Sequence, residues 1–527
     1  MIANKNYKNN NNSKNNSKIY SFSHLLLAEI TNRFENILDK ICFSLVCRKW
    51  FFERDKYLVL HYNSNKLNNF NFNTFKNQLK YEDPKIVIKG NNNFIIICFV
   101  NITNILTLNL KKQTERDGIY KVPITAKELV VYGYEILDNG FFEKLDSLSI
   151  TSISIINVEL KMSAMARSLS IMYASQESDF PKIPDKIHTL RFRKISNRSK
   201  KKPTEFPASL RHLEFHTLDV TLPIRLPHSL EVFICYSDDH KPFNFDTTLT
   251  PFAPRLHTVF IASDHLDYFC MMTSITTMDI RWLHTPVKRL VSSDLPPSLT
   301  NLSISVTNPF VTGYETGLLI NNGVLPKSLQ HLTLEMNISI ESPDVISQLT
   351  MLESLKIEMS PQFKIKLPQS LRKLKLPQNF DNAIDVQYIL PDNLESLEFG
   401  SNFDQKLSKG DLPANLKELI LNRAYSAKIS VGSLPKYLET LDLCEYDKPI
   451  EKKAFPASLR ELRHNLTYYA SKLKKLPESI TSLILDKRLH FRRYTAKCFM
   501  VYCENGEAIK GGFTDISLLE KQIILIN

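Results

Sequence analysis

Residues 390–485 contain five near-copies of one phrase, and this repetition constrains the fold more than any other feature of the sequence. Each copy reads Leu/Phe-Pro-x-x-Leu/Ile-x-x-Leu-x, and an apolar residue follows in four of the five. The prolines recur every 21 to 22 residues, at Pro391, Pro413, Pro435, Pro456 and Pro477. Self-similarity at a fixed period in this range is typical of a solenoid, in which each repeat packs on its neighbours.

The same register extends over most of the chain. With the second leucine of the phrase as reference, eighteen positions align, in steps of 19 to 30 residues that average about 22. They are Leu106, Leu129, Leu148, Leu169, Leu190, Leu213, Phe233, Val259, Met278, Leu302, Leu332, Leu355, Leu374, Leu397, Leu419, Leu441, Leu462 and Leu483. Each Leu-x-Leu alternates apolar and polar residues over too few positions for anything but a brief strand. We therefore expect one strand per repeat, stacked into a long parallel sheet of the leucine-rich-repeat type.

The segments between these strands are short and lack helical periodicity, as in residues 422–433. We expect turns, short strands or 3₁₀ helix there, with each proline ahead of its strand, where a missing N–H costs no ladder hydrogen bond. The phrase also resembles the FNIP repeat, a leucine-rich-like repeat, most closely from Phe403 to Pro413 and from Tyr446 to Pro456.

The N-terminal region has a different composition. Residues 1–18 contain eight Asn and four Lys, so we expect a disordered tail over residues 1–19. Beyond it, apolar residues recur at helical spacing, with Ser23 as a candidate N-cap. About forty residues bury little core alone, so this helical unit is either a cap on the solenoid or a module that packs on a partner.

The segment from Ser21 to Phe52 resembles an F-box. The matching residues are Leu26, Ile30, Asp39, Ile41 and the run Leu45-Val46-Cys47-Arg48-Lys49-Trp50, which is the most specific part. The resemblance implies a helical unit that binds a small adaptor protein, which in turn joins a cullin scaffold. It also implies that the apolar contact with the adaptor comes from Leu25, Leu26, Ile30, Phe34, Ile37, Ile41, Leu45 and Trp50.

The predicted fold class is therefore α+β, with a small N-terminal helical F-box followed by a long leucine-rich-repeat-like solenoid with a parallel β-sheet. The expected segments are the tail at 1–19, the F-box-like domain at 20–62, a linker at 63–84, the solenoid at 85–490 and a C-terminal cap at 491–527. In the cap we expect a hairpin around Glu504-Asn505-Gly506 and a helix from Ile516 to Ile526, N-capped by Thr514.

The sequence contains none of the motifs that would indicate catalysis. It lacks Gly-x-x-x-x-Gly-Lys, Gly-x-Ser-x-Gly and His-Glu-x-x-His, so we expect no enzyme activity, no cofactor and no metal. The longest early apolar run is far shorter than a membrane span, and we expect a cytoplasmic or nuclear protein that does not bind membranes. The net charge of +12 is compatible with acidic partners or nucleic acid.

Binding is the expected activity of the solenoid. Residues between the inward leucines should project from the concave face of the sheet. The candidate substrate-binding residues are Val232, Ile234, Tyr236, Phe260, Arg281 and Trp282. Exposed apolar and aromatic groups often mark a protein interface, but distorted turns that bury these residues are the alternative.

Two further segments are distinctive. Arg191–Lys202 is basic and is either a site for an acidic partner, a nuclear import signal or a solvated loop. Residues 308–322 lengthen one repeat and carry Phe310 and Tyr314, which suits either a binding element or a tolerated surface extension.

Together these features predict a non-catalytic substrate-receptor subunit of a cullin-based ubiquitin ligase. The F-box would bind the adaptor, and the solenoid would bind a protein substrate. The alternative is a repeat scaffold that engages no ligase. A basic nucleic-acid-binding solenoid is a weaker third hypothesis, because Glu214, Glu335, Glu358, Glu398 and Asp442 are interleaved with the positive residues.

Overall fold

The structure is a computed structural model that describes part of the chain. The described residues are 23–34, 43, 88–91, 94–99, 105–109, 128–132, 152–156, 168–171, 174–175, 187–197, 206–220, 225–235, 253–282, 290–306, 318–335, 338–358, 366–384, 390–464, 477–485, 489–493, 495, 498–504 and 509–515. The chain divides into a central unit, Asn104–Leu438, and a terminal unit formed by Met1–Thr103 and Glu439–Asn527. The predicted tail and linker lie outside the described residues.

Strands dominate the described residues of both units. They are β1 (Ile88–Asn91), β2 (Phe94–Phe99), β3 (Ile105–Asn109), β4 (Glu128–Tyr132), β5 (Ser152–Ile156), β6 (Ser168–Ile171), β7 (Ala174–Ser175), β8 (Thr189–Asn197), β9 (His212–Val220), β10 (Val232–Cys235), β11 (Thr258–Ala262), β12 (Thr277–Trp282), β13 (Asn301–Val306), β14 (Leu318–Ile320), β15 (His331–Leu334), β16 (Ile338–Ile340), β17 (Ser354–Ile357), β18 (Lys373–Lys375), β19 (Ser396–Glu398), β20 (Glu418–Ile420), β21 (Thr440–Asp442), β22 (Glu461–His464), β23 (Ser482–Leu485), β24 (Leu489–Arg493), β25 (Cys498–Glu504) and β26 (Ile509–Asp515).

In the central unit, a single parallel ladder runs from β3 to β20. Each strand pairs with the strand of the next repeat, while β14 and β16 form a small parallel sheet of their own. The predicted leucine-rich-repeat-like solenoid with a parallel sheet is thus confirmed. A two-stranded hairpin needs only a tight turn, whereas this parallel arrangement needs a crossover at every repeat, and the steps of 19 to 30 residues are long enough to supply it.

The predicted register is confirmed at seventeen of the eighteen reference positions, which all lie on strands. Leu148 is the exception, because Ile153 occupies the ladder position between Leu129 and Leu169. The sequence Ser152-Ile153-Ser154-Ile155 alternates as well as Leu148-Ser149-Ile150, and no proline marks which of the two begins the strand.

Hydrogen bonds explain the repeated phrase. In ten repeats, the backbone N–H of the residue three positions after the proline donates to the proline carbonyl, with N···O distances of 3.0–3.3 Å. The ten prolines are Pro207, Pro227, Pro296, Pro326, Pro368, Pro391, Pro413, Pro435, Pro456 and Pro477. Proline loses no bond here, since it acts only as an acceptor, and its fixed φ favours the turn. The Leu or Ile that closes each turn is at most 1% exposed, so the turn also fills the core.

A second regularity follows the proline and was missed in the sequence. The residue two positions later is often Ser, and its hydroxyl donates to a backbone carbonyl of the preceding repeat at 2.6–2.8 Å. Examples are Ser209, Ser229, Ser298, Ser328 and Ser370, and Asn393 and Asn415 make a similar contact with their side-chain amides. The recurrent Pro-x-Ser/Asn-Leu is the sequence pattern that indicates this series of side-chain hydrogen bonds between repeats.

Aromatic rings stack along the interior beside the last repeats of the central unit. Phe403 is fully buried, with ring centroids 3.8 Å from Phe399, 6.1 Å from Phe380 and 5.9 Å from Tyr425. Buried Asn422 holds this stack in place: its amide donates to the Phe403 carbonyl at 2.8 Å, and its Oδ1 accepts from the Tyr425 N–H at 3.1 Å.

The described connections contain little helix, as predicted. Those described are the short helices α2 (Leu266–Phe269) and α3 (Asp344–Ser347), and 3₁₀ turns at Ser263–His265, Ser292–Asp294 and Lys452–Ala454; α1 (His24–Asn32) precedes the solenoid. The predicted α+β class with a helical F-box is not supported by the described residues, because α1 is the only longer helix among them. Ser23 does cap α1 as predicted, accepting from the Leu26 N–H at 3.3 Å.

The terminal unit brings strands from both ends of the chain into one sheet. Strands β21, β22 and β23 are parallel, and β24, β25 and β26 continue as an antiparallel meander. The hairpin predicted around Glu504 is present as β25 and β26. The predicted N-cap role of Thr514 is wrong, because Thr514 lies within β26 and pairs with Phe499. N-terminal β2 then pairs with β26, and β1 pairs with β2.

The turn after β11 buries His265, which is 4% exposed and makes the stability of the fold depend on pH. Burial lowers the pKa of this imidazole to about 4, although Asp264 opposes the shift. Below pH 6.5 the imidazole of His265 binds a proton in the unfolded chain but stays neutral in the folded chain. The free energy of unfolding therefore falls as the pH decreases towards 4. We expect a loss of about 2 kcal/mol between pH 7 and pH 5 from this group.

Urea unfolding at pH 7 and pH 5 measures this loss. The His265→Leu variant should show a smaller decrease in stability between the two pH values than the wild type. An equal decrease in both proteins would contradict the assignment to His265.

Candidate functional site

The face of the central sheet that the ladder leucines leave uncovered is the candidate site, and we call it the open face. On most of the strands whose side chains are described, buried residues alternate with half-buried or exposed ones, as in Val232–Cys235 and Thr277–Trp282. The half-buried positions project to the open face because successive side chains of a strand point to opposite sides. Parallel pairing then aligns these positions into rows that cross the strands, such as Ile234, Phe260 and Asp279.

Most of the predicted substrate-binding residues lie on this face. Val232, Ile234, Phe260 and Arg281 are half-buried on β10, β11 and β12, and Tyr236 lies outside the described residues. Trp282 does not belong with them, because it shares the inward parity of Met278 and Ile280 and is only 2% exposed. Its prediction as a contact residue failed because β12 keeps strict alternation to its last residue.

Three apolar side chains are contiguous on the open face. Val232 and Ile234 are two residues apart on β10, and Ile234 pairs in register with Phe260 on β11. We call these three residues the apolar patch. All three are half-buried, so a partner that covers them would remove further apolar surface from water.

A charged group adjoins the apolar patch on the next strand. Asp279 pairs in register with Phe260 on one side and with Ser303 on the other. Burial raises the pKa of the Asp279 carboxyl, and the charge of Glu335 raises it further, whereas Arg281 and a hydrogen bond with Ser303 oppose the shift. Asp279 is thus a half-buried carboxylate with one cation, Arg281, and one further carboxylate, Glu335, near enough to affect its pKa.

Glu335 and Glu358 continue this group at the ends of β15 and β17. One ammonium serves both of them: Lys356 Nζ lies 3.4 Å from Glu335 Oε1 and 3.0 Å from Glu358 Oε1. Burial lowers the pKa of Lys356, but its hydrogen bonds and charge interactions with the two carboxylates outweigh that effect, and the net shift is upward. Lys356 is therefore held in its charged form.

Other charges on or beside the open face are also paired across repeats. Glu395 accepts from Arg372 at 2.7 Å and from Lys417 at 2.8 Å, and Lys375 lies 2.7 Å from Glu398. The hydrogen bonds from Lys417 and Arg372 lower the pKa of Glu395. These exposed pairs contribute little stability each, but they neutralise the basic side chains that a polyanion would need.

These ion pairs were not predicted from the sequence. They become visible when equivalent residues of successive repeats are compared. Arg372, Glu395 and Lys417 occupy the same position in three successive copies, directly before the strand. The period is regular in this region, so alignment of equivalent positions places opposite charges one repeat apart.

The two distinctive segments are partly described. Arg191–Asn197 belongs to β8, so the basic segment is in part a strand and not the loop that its composition suggested. Arg191 lies 2.9 Å from Glu214 on the neighbouring strand, while residues 198–202 lie outside the described residues. Of the insertion at 308–322, Leu318–Ile320 form β14, and Phe310 and Tyr314 lie outside the described residues.

The predicted adaptor-binding residues are described only around α1. Leu25 is 84% exposed and Leu26 is 44% exposed, whereas Leu27 and Thr31 are buried. Ile30 and Phe34 are half-buried, and the Phe34 ring lies 5.6 Å from that of Phe43. Ile37, Ile41, Leu45 and Trp50 lie outside the described residues.

Within the described parts of the chain, no group of three or more His, Cys, Asp or Glu side chains could hold a metal ion. Among the described residues, no helix combines the length and apolar character needed to cross a membrane.

Comparisons with known proteins bear on the repeat architecture. Residues 362–402 and 403–445 match the FNIP Repeat family, and no curated protein matches the chain. Among solved structures, CroV588, described as a novel circular LRR protein, has 19% identity and a TM-score of 0.39, covering 72% of this chain and 69% of its own. YopM from Yersinia enterocolitica WA-314 has 17% identity and a TM-score of 0.29, covering 73% and 85%. The chain thus carries FNIP repeats at residues 362–445, within the parallel ladder of the central unit.

Proposed function

We propose that the open face of the solenoid binds a partner protein, and that an N-terminal F-box-like segment makes this chain the substrate receptor of a cullin-based ubiquitin ligase. The observation that carries the first part is the apolar patch of Val232, Ile234 and Phe260, half-buried on adjacent strands. Contiguous apolar groups on a rigid sheet, bordered by charges, have the anatomy of a protein interface.

Two observations support the link to a ligase. The run Leu45-Val46-Cys47-Arg48-Lys49-Trp50 resembles the most specific part of an F-box. In addition, α1 turns Leu27 and Thr31 inward while Leu25 stays 84% exposed, so a large apolar side chain is available to an adaptor. The chain would act by proximity, holding the substrate beside the ubiquitin-loaded partner without forming a covalent bond itself.

The charges of the open face favour a protein partner over nucleic acid. Arg191, Lys356 and Lys375 each lie within 3.4 Å of a glutamate, so phosphate groups would have to compete with these carboxylates. A nucleic-acid interface would instead present unneutralised basic side chains, and its affinity would fall steeply with salt.

Capture of a purified cullin adaptor by the immobilised full-length chain tests the proposal. We expect wild-type capture, and at least a tenfold loss with Trp50→Ala or Leu45→Asp, because one large buried side chain often dominates such an interface. Leu25→Asp should also weaken capture. Val431→Asp is the matched control, since Val431 is a 57% exposed aliphatic residue of the central unit.

Circular dichroism melting should show an intact solenoid in all four variants. If the wild type captures no adaptor, the ligase assignment is wrong and the chain is a scaffold without a ligase. If Trp50→Ala captures it as well as the wild type, the F-box-like segment is not the contact.

A further inference from the structure

The open face changes from apolar to acidic over a few adjacent strands. The apolar patch ends at Phe260, whose register partner on the next strand is Asp279. Glu335 stands near enough to Asp279 to raise the pKa of its carboxyl, and Glu358 shares Lys356 with Glu335. We call Asp279, Glu335 and Glu358 the acidic cluster.

The acidic cluster has more negative than positive charge. With the neighbouring pair Glu398 and Lys375 included, four carboxylates lie beside three cations, Arg281, Lys356 and Lys375. Lys356 is divided between Glu335 and Glu358, at 3.4 Å and 3.0 Å. Asp279 is also half-buried, so its charge is less well solvated than that of a surface carboxylate. A cation supplied by a partner would therefore be stabilised here more than at an ordinary exposed acid.

We propose that the open face binds an extended segment of a partner protein that places an apolar side chain on the apolar patch and a Lys or Arg side chain on the acidic cluster. This inference rests on the proposed function, in which the open face binds a protein, and it specifies the chemistry of that protein. Neither half of the surface would select the segment alone, but together they fix its direction across the strands.

The geometry also sets the spacing of the two side chains. From β11, which holds Phe260, to β15, which precedes Glu335, there are three strand-to-strand steps by way of β12 and β13. Each step is about 4.8 Å, so the distance is roughly 14 Å, and an extended chain covers it in about four residues. The apolar and basic side chains should thus be about four residues apart, with Asp279 between the two contacts.

An acidic segment would not fit this surface. It would meet Asp279 and Glu335. Of the nearby cations, Arg281 already offsets the charge of Asp279, and Lys356 is engaged by its two carboxylates. Like charges placed opposite each other at an interface suppress binding to the wrong partner.

A selection from a phage-displayed library of random 16-residue peptides on the immobilised full-length chain tests the inference. We expect the enriched peptides to share an apolar residue and a Lys or Arg about four positions away, and their affinity to decrease with rising NaCl, because the ion pairs are screened. Enrichment of acidic peptides, or no enrichment at all, would overturn the proposal.

Matched variants assign the contacts. Phe260→Ser and Glu335→Gln should each weaken the selected peptides by about tenfold or more. Ile420→Ser and Glu398→Gln, which change half-buried residues of the same face on more distant strands, should leave the affinity within about twofold. Melting curves should be recorded for each variant. Glu335→Gln keeps the shape of its side chain, so an unchanged melting temperature would assign its loss of binding to the lost charge.

Equal binding by Phe260→Ser, Glu335→Gln and the wild type would overturn the assignment of this surface. Adaptor capture by the N-terminal segment is measured separately, so failure of the peptide selection leaves the ligase part of the proposed function standing.

Discussion

Gly400→Ala is expected to destabilise the central unit by about 3 to 5 kcal/mol, a large effect for the addition of one methyl group. Gly400 is buried, and a Cβ atom there would overlap the backbone carbonyl of Pro377 and the Cα atom of Gln378. The two repeats cannot easily separate, because the Leu376 N–H donates to the Glu398 carbonyl at 2.9 Å and the Asn402 N–H donates to the Gln378 carbonyl at 2.8 Å. The methyl group would have to break one of these contacts.

Gly410→Ala is the matched control for this prediction. Gly410 has φ +96°, and no atom lies within 4 Å of the point that an alanine Cβ would occupy. Alanine there would therefore cost only the strain of a left-handed backbone, about 1–2 kcal/mol. Urea unfolding of both variants checks the difference. If Gly400→Ala is no less stable than Gly410→Ala, the close approach of the two repeats at Gly400 is wrong.

Phe403→Ala is expected to cost about 3 to 5 kcal/mol, through the lost burial and the cavity that remains. The Phe403 ring is 0% exposed and lies nearly parallel to the rings of Phe399 and Tyr425. The cavity cannot readily collapse, because Asn422 fixes the adjacent backbone through bonds to the Phe403 carbonyl and the Tyr425 N–H.

Tyr437→Ala provides the comparison for the Phe403 variant. Tyr437 is 52% exposed, and the ammonium of Lys436 lies over its ring, so its truncation should cost less than about 1 kcal/mol. Thermal unfolding distinguishes the two outcomes. Similar melting temperatures for the two variants would show that the aromatic stack contributes little to the repeats.

Much of the strand ladder was predictable because the repeats can be aligned with one another within the sequence. Where Pro-x-x-Leu is intact, the proline fixes the turn and the register follows, as at Leu394 and Leu397. Where the proline is missing, alternation alone cannot choose between Leu148 and Ile153, because both begin a short stretch of alternating apolar and polar residues.

The open face was less predictable than the core. Burial of leucines depends on their own apolar character, but the environment of Asp279 depends on Phe260, Ser303 and Glu335, which come from three other repeats. Trp282 shows the same limit: its residue type suited an interface, but the parity of β12 directs it into the core. Position relative to the ladder was decisive, and residue type was not.

The pairing of β2 with β26 affects how the protein can be made in a cell. Ile97, Cys98 and Phe99 pair with residues 509–511, so the ribosome must add about 400 residues before the N-terminal strand has its partner. At about 5–20 residues per second this takes roughly 20 to 80 s, during which the edge of Phe94–Phe99 is available to other strands. Chaperones that protect the nascent chain would therefore be most important for the first hundred residues. These residues wait for their partner strand long after they have been synthesised.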